Sequence, residues 1–360
     1  MSGDILLAGL LADARMLAVL GLAGTPVALA GRLEGGGRAG IDRDGWPRLA
    51  AGQGTVAAMR VRPNAALDRY AAVMGLAPQD RPEGVVLGLG AGGAHGEPQA
   101  DLAAAIARQI LALPADRPAE DIARRLPAIG VWAASELRGA QTPPSGGDLV
   151  ERRGPGDVEI LRQDEPFASF FSVNVSHLRH RTHAGGMTPV VRREALVLGD
   201  AVVVLPWDPV RDRVLLIEQF RMAPLLRRDP QPWLLETVAG RVDAGETVEE
   251  AARREAVEEA NLTLTRLFPA LHHYPSPGVL GEYLYLYVGI ADLPDGIEGV
   301  HGLESEAEDI RGHLVPRADL TRMAMGGQVT NGPLAMLALW LELRGDAIRA
   351  ELGRTELRPG

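Results

Sequence analysis

The residues best able to do chemistry lie between positions 240 and 262, in the string GRVDAGETVEEAARREAVEEANL. A glycine, Gly240, is followed at fixed offsets by Glu246, Arg254, Glu255, Glu258 and Glu259. Oxygen ligands without cysteine or histidine favour Mg²⁺ or Mn²⁺ over Zn²⁺. Thr247 and Glu250 have the spacing of a capping box, which predicts a helix starting near Val248. On a wheel of about 100° per residue, Val248, Ala251, Ala252 and Leu262 share an apolar face. Glu255 and Glu259 fall on that same face and Glu258 on its flank, whereas Glu249, Glu250, Arg253 and Arg254 point elsewhere. A solvated charged helix would keep its carboxylates on the polar side. Two carboxylates on the buried stripe are costly unless paired or metal-bound. Arg254 is placed to orient the acidic group from the side.

A second domain must carry this helix, and composition allows for it. The chain has 360 residues, 46% of them apolar, enough for two globular domains. Net charge is −10, which argues against nucleic acid as a partner but not against an anionic substrate held through a divalent ion. With no cysteine there is no disulfide, thiolate nucleophile or cysteine-held zinc, and with no lysine there is no Schiff base or P-loop lysine. The apolar run 5–24 is broken by Asp13 and Arg15 and lacks a basic start, so neither a signal segment nor a membrane span is expected, and a cytoplasmic location is.

Residues 1–138 read as one α+β unit. Strands are predicted at 5–9, 27–33, 54–61 and 84–89, and helices at 12–20, 64–73, 101–113 and 119–125. The glycines of 88–93 satisfy G-x-G-x-x-G, but AHGEP follows where a dinucleotide site needs a helix, so a loop is predicted. Pro and Gly make 139–156 a linker. In the second unit, 157–360, strands are predicted at 158–161, 170–175, 192–194, 201–206, 214–220, 233–238 and 283–290, with helices after the acidic loop and at 332–343. His272 and His273 are adjacent on a strand, point to opposite faces, and are read as structural.

The acidic string resembles the Nudix box, G-x5-E-x7-R-E-U-x-E-E-x-G-U. Gly240, Glu246, Arg254, Glu255, Glu258 and Glu259 are all in register; Asn261 stands where the pattern has glycine, a change that a left-handed helix end tolerates. Residues 157–345 are similar to the ADP-ribose diphosphatase branch of that family, through FFS at 170–172, GGM at 185–187, VRRE at 191–194, LPWDP at 205–209, IEQFR at 217–221, WLLETVAG at 233–240, SPG at 276–278, Glu282 and the acidic stretch 304–309. The resemblance implies an α/β/α sandwich with a mixed sheet and a homodimeric Mg²⁺ enzyme, with Mn²⁺ as the alternative ion. It implies Glu255, Glu259, Glu308 and the Ala239 carbonyl as metal ligands, and Glu306 and Glu258 as catalytic residues, with Glu306 the general base for the attacking water. Phe170, Phe171, Arg193, Arg221, Arg241, Ser276, Gly278 and Glu282 are the implied substrate contacts. The expected reaction splits ADP-ribose into AMP and ribose 5-phosphate. A GDP-mannose type of diphosphatase and a non-catalytic nucleotide sensor are the rival readings.

Residues 1–138 resemble the gamma-glutamylcyclotransferase-like fold through LLAGLL at 6–11 and LDRY at 67–70. The tyrosine, threonine and acid of that family are missing, which implies a non-catalytic scaffold. The two-part order is similar to that of Nudix proteins labelled tellurite resistance.

Overall fold

The computed structural model describes residues 3–144, 146–303 and 308–356, with side chains described to Gly353. The chain divides into two compact units, Met1–Leu198 with Asp243–Gly245, and Gly199–Val242 with Glu246–Gly360.

The first unit runs β1 (Ile5–Ala8), α1 (Ala14–Val19), β2 (Gly24–Glu34), β3 (Arg48–Val61), α2 (Ala65–Val73), β4 (Gln79–Arg81), β5 (Gly84–Leu87), α3 (Ala100–Ala112), α4 (Ala119–Ala123), α5 (Leu126–Gln141), β6 (Val158–Ala168), β7 (Ser172–His180) and β8 (Val191–Val197). Its first five strands form one sheet in the order β2-β3-β1-β5-β4, with β1 parallel to β5 and antiparallel to β3. Leu7, Leu11, Met16, Leu67, Tyr70 and Ile106 fill the core beside it. Later, β7 pairs antiparallel with both β6 and β8.

Three expectations for this unit need correction or completion. The strand expected at 54–61 begins at Arg48, because β3 pairs along β2 as a long two-stranded ribbon. Helix α5 extends into the segment read as linker. Its buried stripe is carried partly by Gly130, Ala133 and Ala134, which signal a helical face weakly. Phe170 and Phe171 sit in the bend between β6 and β7, not inside a strand. The loop expected at 88–93 is a loop: Gly88, Gly92 and Gly93 have φ of 97°, 120° and 43°, and no helix opens before Ala100.

The second unit runs β9 (Ala201–Asp208), β10 (Arg213–Phe220), α6 (Met222–Arg227), β11 (Trp233–Glu236), β12 (Val238–Arg241), α7 (Val248–Ala260), β13 (Arg266–His273), β14 (Leu280–Gly281), β15 (Leu284–Ile290), β16 (Val300–His301), β17 (Ile310–Pro316), α8 (Arg317–Met325) and α9 (Gly332–Glu356). The main sheet has the order β13-β15-β9-β10-β17-β16, with β11 joined to β10 and β12 to β9. It is mixed, since β15 runs parallel to β9 while the remaining pairs are antiparallel.

Alternation along the strands sends side chains to opposite faces, and both faces here are apolar. Val202, Val204, Leu215 and Ile217 pack against Ala251, Ala252 and Ala256 of α7. Val203, Leu205 and Leu216 pack against Leu334, Leu337 and Leu341 of α9. The result is the expected α/β/α sandwich.

The strand expected at 233–238 is two strands with different neighbours. The break is at Thr237, whose buried Oγ1 donates to the Val204 carbonyl at 2.5 Å. Helices α6 and α8 were not expected, and α9 extends to Glu356. Both unexpected helices are short, at 6 and 9 residues, too few for a clear period.

Candidate active site

Helix α7 carries the acidic residues, and its two ends are secured by local chemistry. At the start, the Thr247 hydroxyl accepts from the Glu250 N–H at 3.2 Å, and the Glu250 carboxylate accepts from the Thr247 N–H at 2.8 Å. At the end, Asn261 adopts φ 51° and ψ 39°, and the Leu262 N–H reaches back to the Ala256 carbonyl at 2.9 Å. This is a left-handed cap, usually made by glycine, in which the chain folds back on the last turn.

Between the caps the helix buries the predicted stripe. Glu255 is 9% exposed and Glu259 3%, among alanines that pack on the sheet. Burial pushes the Glu255 carboxyl up to about 7, against the pull of Arg254. Burial pushes Glu259 up to about 8, opposed by the Ala239 N–H and reinforced by Glu255 and Glu308. The Ala239 N–H donates to Glu259 Oε2 at 2.8 Å, so strand β12 holds one carboxylate from the sheet side.

Gly240 lies beside the other carboxylate. A Cβ there would stand 1.8 Å from Glu255 Oε1. Its φ is not in the left-handed region, so this glycine is needed for room rather than for backbone freedom.

Arg254 ties loop and helix together. It donates to Glu246 at 2.8 Å, Glu255 at 2.7 Å, Glu258 at 2.9 Å and the Arg241 carbonyl at 2.9 Å. These carboxylates hold its charge firmly despite partial burial.

Just past the end of β10, Arg221 bonds Glu236 of β11 through Nε at 3.1 and 3.2 Å and through Nη2 at 2.7 Å. Glu259 and Glu308 also act on Arg221 electrostatically, which places the guanidinium by the acidic cluster. Glu308 raises both Glu255 and Glu259, while its own carboxylate accepts the Leu303 N–H at 3.1 Å. Glu282 is raised by burial and by Asp200, and Arg241 counters both. Ser276 accepts the Val279 and Leu280 N–H groups in a turn, with Gly278 exposed.

The second unit thus brings together Ala239, Arg221, Glu255, Glu258, Glu259 and Glu308. Phe170, Phe171 and Arg193 belong to the first unit. There Phe170 is exposed, the Phe171 ring lies 5.5 Å from that of Phe167, and Arg193 is exposed on β8. Glu306 lies outside the described residues.

His272 takes a structural role, as expected: its Nδ1 accepts the Leu286 N–H at 3.2 Å, and its ring packs on Tyr285 and Tyr287. Glu236 and Gln219 were missed by sequence reasoning. Both are buried polar residues whose burial follows from the pairing of β10 with β11, so no local sequence signal marked them.

A divalent ion fits the carboxylate pair. Two adjacent buried acids disfavour each other's ionisation, and a hard cation removes that conflict. Among the described residues no group of three or more histidine, aspartate or glutamate side chains is arranged to hold a metal ion, so Glu308, expected as a third carboxylate ligand, is not grouped with the pair, and backbone, water and substrate oxygens would have to complete the shell.

Residues 197–333 match the NUDIX domain. The chain is 42% identical over 198 residues to the ADP-ribose pyrophosphatase of Escherichia coli (strain K12), covering 55% of this chain and 94% of that protein. It is 36% identical over 189 residues to the ADP-ribose pyrophosphatase of Haemophilus influenzae, covering 52% and 87%. It is 29% identical over 154 residues to the GDP-mannose pyrophosphatase of Enterobacter sp. (strain 638), covering 43% and 79%. The chain belongs to the Nudix family and is a hydrolase of pyrophosphate bonds. No helix among the described residues is long and apolar enough to cross a membrane.

Proposed function

We propose that this protein hydrolyses the diphosphate of ADP-ribose to AMP and ribose 5-phosphate with a divalent ion, Mg²⁺ or in its place Mn²⁺. The observation that carries the reading is the buried Glu255–Glu259 pair, one helical turn apart, with Gly240 clearing space beside one carboxylate and the Ala239 N–H holding the other. The likeness to two proteins named ADP-ribose pyrophosphatase supports the substrate.

The ion, when bound, supplies Lewis-acid charge that neutralises phosphate oxygens and favours an ionised water. By resemblance, Glu255, Glu259 and the Ala239 carbonyl would hold it, with Glu308 closing in as a further ligand. Arg254 keeps Glu255 and Glu258 in place so that the cluster needs little rearrangement during the reaction. Arg221 offers its guanidinium to the diphosphate, and Glu282 with Arg241 to the ribose side. Ser276 and Gly278 shape the loop against substrate, and Phe170, Phe171 and Arg193 contact it in a homodimer. By resemblance, Glu306 accepts the proton of the attacking water. Residues 1–138 serve as a non-catalytic scaffold.

Glu259→Gln tests the reaction. It keeps the shape and removes the charge, and turnover of ADP-ribose with Mg²⁺ should fall at least about 1,000-fold. Near-normal turnover sinks the metal assignment. A parallel assay of ADP-ribose and GDP-mannose tests the substrate: faster hydrolysis of GDP-mannose would overturn the specificity and leave the chemistry standing.

A further inference from the structure

Glu236 is 4% exposed, a carboxylate buried within the sheet of the second unit. Its register partner Ile217 packs into the core shared with α7, so Glu236 faces the acidic helix. Gln219 and Arg221 follow Ile217 at a spacing of two and share its face. The Gln219 amide lies 3.5 Å from Glu236 Oε2, and Arg221 approaches both carboxylate oxygens through Nε and Nη2.

Among the described residues Nη1 of Arg221 has no hydrogen-bond partner, and the Arg221 side chain is 41% exposed. One edge of the guanidinium is therefore held and the other is presented. Buried ion pairs are a weak source of stability, because desolvation offsets most of the attraction. Their better-attested use is to set geometry.

The geometry has an alternative that Glu236 blocks. Glu259 and Glu308 lie within electrostatic reach of Arg221. A guanidinium released from Glu236 would be drawn to those carboxylates and would occupy the charge intended for a divalent ion.

We propose that Glu236 is a positioning residue: it fixes Arg221 so that its free edge meets an anionic diphosphate and its charge stays off the carboxylate pair. The proposal rests on the reading that Arg221 contacts substrate.

The test compares wild type, Glu236→Gln, Arg221→Ala and the double variant by two measurements. The first is Mn²⁺ binding alone, by calorimetric titration; the second is kcat and KM for ADP-ribose. Glu236→Gln should weaken Mn²⁺ about tenfold and raise KM about tenfold with a smaller change in kcat. Adding Arg221→Ala should restore Mn²⁺ affinity and leave KM high, a reversal that simple loss of packing would not produce. Should Glu236→Gln fail to fold, Glu236→Asp keeps the charge but withdraws it by one methylene, and the same shifts are expected with smaller size.

Wild-type Mn²⁺ affinity and KM in the Glu236 variant, with KM raised in Arg221→Ala, would overturn the inference and spare the proposed function. An unchanged KM in Arg221→Ala would overturn both the assignment of Arg221 and this inference.

Discussion

At the scale of single residues, the glycine that opens the acidic motif has a steric role. Its φ is unexceptional, yet a methyl group at Gly240 would overlap the Glu255 carboxylate. Gly240→Ala should therefore displace Glu255 rather than strain the backbone. kcat/KM should fall about 100-fold, as small misplacements at a reacting centre do, while the melting temperature moves by only about a few degrees. Paired kinetics and thermal melts decide it; activity within about twofold of wild type would mean that the carboxylate position is not critical. The sequence marked Gly240 by spacing alone and could not say whether room or backbone freedom was at stake. Glu236 escaped notice for a related reason. Nothing local distinguishes it from an edge carboxylate, and only the pairing of β10 with β11 brings Arg221 to it.

At the scale of the element, α7 was the most legible part of the chain. Its start signal, its 3.6-residue stripe and its odd carboxylates are all local properties, and the structure buries Glu255 and Glu259 as the wheel required. Asn261 fills the glycine position because its short polar side chain tolerates the left-handed conformation. Asn261→Gly should be neutral or slightly stabilising, whereas Asn261→Val should cost about 1–2 kcal/mol. Urea unfolding of the three proteins measures this, and an Asn261→Val protein as stable as wild type would contradict the cap. Less legible was the stretch from Trp233 to Val238, which reads as one strand. It divides because Thr237 turns its hydroxyl into the sheet and the chain moves from β10 to β9, a choice made by long-range pairing. The short α6 and α8 lacked the length for a periodic signal.

At the scale of the molecule, the charge buried under α7 couples the site to stability. The folded-state values of Glu255 and Glu259 are raised to about 7 and about 8 from an ordinary 4.5. The folded protein thus binds more protons than the unfolded chain between those values. Without a divalent ion, the stability contribution of these groups is greatest below about pH 4.5 and is lost as pH rises toward about 8. Melting of metal-free protein should accordingly fall across about pH 5 to 8, and Mg²⁺ or Mn²⁺ should raise it most at the upper end. A melting temperature that ignores both pH and ion in this range would argue against a metal at the pair. The organisation into two units is likewise a property of the whole. The compact first unit includes β6, β7 and β8 and ends at Leu198, and no local composition marks that point: glycine and proline mark the segment around 140–156 instead.

By itself the sequence determined the chemistry-bearing helix, the class of ion its carboxylates suit, and the family, because spacing along one helix and one loop is a local quantity. The tertiary structure decided which carboxylates are buried deeply enough to resist ionisation. It also decided which arginine is held and by what, and why the motif's first residue must lack a side chain. These depend on how strands β9, β10, β11 and β12 approach α7, and burial, desolvation and steric clearance arise only when distant segments meet.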